Sequence, residues 1–227
     1  RAIGVERFEI GDLVERLVFF DTVAGTTYTG IGGAADQLIS IDLVGSAGDM
    51  VFRGLGGNDD LRGGLGDDLL DGGSGADVMT GARGNDTITG GTGSDFLIGG
   101  SGNDTYLIGR DLLPGDQSII IESPSRDTNI ILFQDGIAPE ELAFDRVGND
   151  LFIGIAAGGT VVVRGQFGSL NGGIDRLRFE DGSLLDLRGP NSPLRAPVED
   201  TLTGVGSDDT PAGGGSDDTP AGGGSDD

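Results

Sequence analysis

From Gly54 to Leu107 the chain repeats one nonapeptide pattern six times without a break in phase: GLGGNDDLR, GGLGDDLLD, GGSGADVMT, GARGNDTIT, GGTGSDFLI and GGSGNDTYL. The fourth place is always Gly, the sixth always Asp, and the eighth always a large apolar residue. The apolar series is Leu61, Leu70, Met79, Ile88, Leu97 and Tyr106; the acidic series is Asp59, Asp68, Asp77, Asp86, Asp95 and Asp104. A short fixed period of this kind marks a solenoid built from one repeated turn. The glycine-rich part can curl through backbone conformations closed to other residues. The last three places have strand character, with one side chain of the three turned inward.

The pattern G-G-x-G-x-D-x-U-x, where U is a large apolar residue, resembles the calcium-binding nonapeptide of the RTX, or haemolysin-type, secreted proteins. It departs only at two second-place glycines, where Leu55 and Ala82 stand. The resemblance implies an all-β fold, a right-handed parallel β-roll in which each nonapeptide gives a tight turn and a short strand and two nonapeptides complete a coil. It also implies the calcium ligands: Asp59, Asp68, Asp77, Asp86, Asp95 and Asp104, with the backbone carbonyls of Gly63, Gly72, Gly81, Gly90 and Gly99. With two repeats per coil, Asp59, Asp77 and Asp95 form one stack and Asp68, Asp86 and Asp104 the other. One ion in each gap, 59/77, 77/95, 68/86 and 86/104, gives about four full sites for Ca2+.

Stacking carries an electrostatic cost. Strands in a sheet lie about 4.7 to 4.9 Å apart, and two carboxylates at ~5 Å repel by roughly 3 kcal/mol at an effective dielectric of ~20. Calcium, with oxygen ligands at about 2.3 to 2.6 Å, spans almost that spacing when it sits between two turns. Magnesium, held at about 2.0 to 2.1 Å in a strict octahedron, fits poorly. The metal is therefore expected to be a folding ligand. A flexible glycine linker or a metal-free solenoid gives no reason for Asp at every turn.

Composition narrows the chemistry further. The chain has no Cys, His or Trp, and its 14 basic residues are all Arg. That removes disulfides, thiolate and imidazole metal ligands and the commonest general base. No G-x-G-x-x-G is present, and without Lys there is no Walker A loop. A net charge of −24 argues against nucleic acid and anionic membrane surfaces, both of which attract basic patches. No apolar run approaches the ~18 residues of a membrane span. The chain starts at Arg1 without a charged-then-apolar leader, and is expected to be an internal piece of a longer polypeptide.

Residues 1–44 are expected to be an N-terminal flanking β segment packing onto the roll, although Asp12 with Glu15 also suits a helix cap. GIGGAADQLIS resembles a worn repeat, with Asp36 in the acidic place and Leu38 in the apolar one, out of phase with the main series. GSAGDMVFR, residues 45–53, is in phase but carries Met50 where Asp is due, so the roll is placed at 45–107, with Phe52 still able to fill the core. Asp60, Asp67 and Asp71 fall outside the sixth place and read as solvated charges. Arg53, Arg62 and Arg83 read as neutralising the roll edges.

After Leu107 the period stops. Short apolar runs at Ser118–Ile121, Asn129–Phe133, Leu151–Ile155, Thr160–Arg164 and Arg176–Phe179 predict strands, and Pro139-Glu140-Glu141 predicts a single helical turn. The segment resembles the non-repeat stretch that often follows RTX repeats, and 108–189 is expected to be a β-rich cap over the open solenoid end. Residues 190–198 read as a Pro-rich linker. Residues 199–227 read as a degenerate second repeat block. Asp209 and Asp218 hold its phase, but Pro211 and Pro220 stand in the apolar place, so it is expected to be disordered.

The functional expectation is calcium ion binding by a secreted, extracellular module without enzymatic activity. The resemblance implies type I export and folding in external calcium. A calcium-dependent module for an extracellular glycan and an adhesin or spacer segment are the other readings.

Overall fold

The computed structural model describes residues 6–9, 16–19, 27–31, 38–41, 48–123, 126–168, 173–188 and 192–194. All lie in one compact unit, Arg1–Arg195. The second repeat block at 199–227, and the linker apart from 192–194, lie outside the described residues.

The protein is an all-β parallel β-roll. Two sheets run side by side, each with nine strands among the described residues. One sheet takes, in spatial order, β1 (Glu6–Glu9), β3 (Thr27–Ile31), β5 (Asp49–Gly56), β7 (Leu69–Ser74), β9 (Thr87–Thr92), β11 (Thr105–Ile108), β13 (Ile130–Phe133), β17 (Arg176–Phe179) and β18 (Leu184–Asp186). The other runs β2 (Arg16–Phe19), β4 (Leu38–Ile41), β6 (Asp60–Gly64), β8 (Val78–Arg83), β10 (Phe96–Ser101), β12 (Gln117–Ile121), β16 (Thr160–Arg164), β15 (Asp150–Ile155) and β14 (Leu142–Val147). The chain alternates between sheets, so each coil adds one strand to both.

Register follows from the repeat. Leu70 lies opposite Phe52, Ile88 opposite Leu70 and Tyr106 opposite Ile88 in one sheet; Met79 lies opposite Leu61 and Leu97 opposite Met79 in the other. All of these side chains are fully buried. Strand alternation then turns the sixth, eighth and following first places to the same interior. That one rule puts an aspartate, an apolar side chain and a glycine inside every half-coil.

The coil is longer on the N-terminal side. Tyr28 is level with Met50 and Ile39 with Leu61, a step of 22 residues rather than 18. Ile39, and not Leu38, therefore occupies the register position of the worn repeat. A pattern search tuned to nine cannot find a half-coil of eleven. Met50 and Phe52 are both buried, because β5 is long enough to serve a coil of each kind.

Beyond Leu107 the same two core columns continue with longer connections. Ile120 lies opposite Leu97 and Val163 opposite Ile120; Ile131 lies opposite Tyr106 and Leu177 opposite Ile131. The Phe133 and Phe179 rings stack at 5.4 Å. The last strands reverse direction: β15 and β14 join one sheet as an antiparallel hairpin, and β18 pairs antiparallel with β17. Pro139–Glu141 forms a 3-10 turn in which Glu141 accepts from the Ala138 amide at 3.0 Å and pairs with Arg110 at 2.9 Å.

Candidate metal centre

The six sixth-place aspartates are buried, none more than 2% exposed. Their hydrogen bonds form a ladder along each stack. The Asp59 amide donates to Asp77 Oδ1 at 2.8 Å and the Asp77 amide to Asp95 Oδ1 at 3.0 Å. In the other stack the Met50 amide donates to Asp68 Oδ1, Asp68 to Asp86 Oδ1 and Asp86 to Asp104 Oδ1, all at 2.7 to 2.8 Å. The main-chain carbonyls of the same aspartates accept from the next coil, as in Val78 N–H to Asp59 O and Thr87 N–H to Asp68 O. In Asp68, Asp86 and Asp104 the amide, the carbonyl and Oδ1 are thus all committed to the fold.

What remains is Oδ2. In Asp68, Asp86, Asp95 and Asp104 this atom is buried with no hydrogen-bond partner. An unpaired buried carboxylate oxygen is expensive, so its recurrence at one place in the repeat points to a missing positive charge. The surroundings fit a cation. A Cβ added at Gly54 would collide with Asp59 Oδ2 and lie 2.5 Å from the Gly72 carbonyl oxygen. At Gly63 it would meet Asp68 Oδ2 and, at 2.8 Å, the Gly81 carbonyl; at Gly72, Asp77 Oδ2 and, at 2.8 Å, the Gly90 carbonyl. In each case a carboxylate oxygen from one turn and a first-place carbonyl from the next converge on a point that only glycine leaves open. Hard oxygen donors of this kind suit calcium.

Burial dominates the electrostatics. It pushes the Asp68 carboxyl up to about 7, Asp86 to about 8 and Asp95 to about 7, with hydrogen bonds from backbone amides pulling the other way and neighbouring carboxylates adding to the rise. Asp104 is raised for the same leading reason. Without a metal, burial favours the protonated form of these carboxyls.

A family model for the RTX calcium-binding nonapeptide repeat, in four copies, matches residues 42–70, 53–88 and 71–106. Residues 42–106 are an RTX calcium-binding repeat segment. The RTX repeats are a structural, calcium-binding module. No curated protein sequence matches the chain. Among the described residues no helix is long and apolar enough to cross a membrane.

Other residues support the RTX turns without being named by the nine-residue pattern. The inner ladder runs past the repeats: the Asp104 amide donates to Asn129 Oδ1 at 2.9 Å, and the Asn129 amide to Asp175 Oδ2 at 2.9 Å. A second ladder runs along the outside through the fifth place. Asp49 Oδ1 accepts from the Asp67 amide, Asp67 Oδ1 from Asn85, Asn85 Oδ1 from Asn103 and Asn103 Oδ1 from Thr128, at 2.7 to 3.0 Å. Asp67 is exposed, yet it is a working rung and not simply a solvated charge. The signal was legible as Asp or Asn at the fifth place of every second repeat. Asp60 pairs with Arg62 at 2.6 Å and Asp71 with Arg53 at 3.8 Å, both at the surface.

Proposed function

We propose that this chain is a calcium-dependent folding module of a secreted protein, with one ion in each of the gaps 59/77, 77/95, 68/86 and 86/104. The observation that carries this reading is the buried Oδ2 atom left over in Asp68, Asp86 and Asp104 when the amide, the carbonyl and Oδ1 of each have a partner. Asp59, Asp68, Asp77, Asp86, Asp95 and Asp104 would hold the ions together with the first-place glycine carbonyls of Gly63, Gly72, Gly81, Gly90 and Gly99, those of Gly72, Gly81 and Gly90 facing the same glycine position as an Oδ2 atom. The bound metal supplies positive charge between turns whose carboxylates otherwise repel.

In a compartment poor in calcium the chain stays open and exportable; outside the cell, where calcium is plentiful, the ions close the roll. The C-terminal strands after Leu107 serve as its cap, because the antiparallel hairpin β14–β15 and strand β18 end both sheets where another parallel coil could otherwise add. Equilibrium dialysis with calcium and with magnesium tests the reading. Saturable uptake of several calcium ions with little magnesium supports it; equal uptake of the two metals overturns it.

A further inference from the structure

The turn that follows the last nonapeptide contains a carboxylate that the repeat does not call for. Ile121 pairs with Ile98, so Glu122 comes level with Gly99, the place where earlier coils carry a glycine. A Cβ added at Gly99 would collide with Asp104 Oδ2 and lie 2.6 Å from both Glu122 Oε1 and Tyr106 Oη. The Tyr106 hydroxyl donates to Glu122 Oε1 at 2.5 Å, and the Gly100 and Ser123 amides also hydrogen-bond to this carboxylate. Glu122 is 8% exposed and Asp104 fully buried. Glu122 Oε2 and Asp104 Oδ2 both lack a hydrogen-bond partner.

In the inner gaps one carboxylate oxygen faces a neutral carbonyl. Here Glu122 stands at the register position of that carbonyl's glycine, its carboxylate held by the Tyr106 hydroxyl and two backbone amides while Oε2 is left over. Two buried, unpaired carboxylate oxygens from adjacent turns demand a compensating charge more strongly than one.

We propose that the gap between the turn Gly99–Asp104 and Glu122 is a further cation site, taking a hard divalent ion of calcium size on Asp104 Oδ2 and Glu122 Oε2. This rests on the reading that the inner aspartates hold calcium. It extends that reading to a residue outside the repeats and to a gap not counted among the four. With unpaired oxygens from two carboxylates, the site binds calcium more tightly than an inner gap in which one such oxygen faces a neutral carbonyl, since affinity rises with ligand charge. It fills first in a titration and anchors the roll at the end next to the non-repeat strands.

The test counts ions on the full chain and on Glu122→Gln by native mass spectrometry across a calcium titration, with circular dichroism in parallel. The expected result is one ion fewer in Glu122→Gln, lost from the tightest step, with calcium-induced folding retained. An unchanged count and first step overturn the proposal and leave the inner sites standing. A parent chain that binds a single ion, lost in Glu122→Gln, upholds this site and overturns the inner ones; no bound ion in either chain overturns both. If Glu122→Gln does not fold, Tyr28→Phe decides. The chain has two tyrosines, so Tyr106 is then the sole one, and a terbium(III) ion against Glu122 must show tyrosine-sensitised emission from its first equivalent. Emission that appears only after later equivalents overturns the proposal.

Discussion

The amide of Asp68 donates to Oδ1 of Asp86 at 2.8 Å, and the other oxygen of the same carboxylate, Oδ2, is buried without a partner. One side chain therefore does two separable jobs: it ties its turn to the coil before, and it presents an oxygen to the metal. Substitution can remove one job and leave the other.

Asp86→Asn keeps an oxygen able to accept from the Asp68 amide but removes the charge. Calcium affinity is expected to fall about tenfold or more, roughly 1.4 kcal/mol. Residual structure in chelator is expected to rise, because a buried charge has gone. Asp86 borders two gaps and Asp59 one, so Asp59→Asn should weaken binding less. Calcium titrations of both variants followed by circular dichroism check this; equal effects contradict the stacked sites.

Proton linkage has a definite sign. Metal-free, the folded-state values of Asp68, Asp86 and Asp95, about 7, 8 and 7, lie above the ordinary 3.8. The folded roll thus binds more protons than the unfolded chain between about pH 4 and 8, and its stability falls as pH rises through that window. In chelator, strand content should increase on going from pH 8 to pH 5. In calcium the trend reverses, because protons compete with the ion for Oδ2. A chelated sample that gains structure with rising pH contradicts the account.

Ala82 and Gly100 are stacked neighbours with opposite tolerance. Ala82 sits at φ 85°, in the left-handed region, which costs an L-residue roughly 1 kcal/mol. Ala82→Gly is expected to stabilise the calcium-loaded roll by up to about 1 kcal/mol, part of the relief being offset by the freer unfolded chain. Gly100→Ala would drive a Cβ into the Ala82 carbonyl at φ 114° and should cost about 2 kcal/mol or more. Thermal melts in saturating calcium measure both.

The core column responds as close packing dictates. Leu70 is fully buried between Phe52 and Ile88, so Leu70→Ala should destabilise the calcium form by about 2 to 5 kcal/mol. Asn85→Ala removes one rung of the outer ladder at the surface and should cost only about 1 kcal/mol. Denaturation in calcium ranks the two variants; a larger loss in Asn85→Ala contradicts the assignment of the core.

The roll was legible because its period is strict: Asp59 to Asp104 and Leu61 to Tyr106 carry their own register, and strand alternation fixes which side they face. Strands after the repeats were legible too, as apolar runs at 118–121 and 160–164 bounded by turn residues, which form strands Gln117–Ile121 and Thr160–Arg164. Two things were hidden. The wider coil that pairs Ile39 with Leu61 has no glycine or aspartate spacing to announce it. Asn129 joins the aspartate stack, and Glu122 comes level with the glycine place of Gly99, only because longer connections return the chain to the same columns, and no local pattern encodes that return.

The central claim is that metal ions supply the cohesion between coils. Limited proteolysis of the full chain, run side by side in millimolar calcium and in excess chelator at pH 8, tests it most directly. The account predicts that residues 48–168 resist cleavage in calcium and are cut rapidly throughout the repeats in chelator. Equal resistance in the two buffers would contradict it.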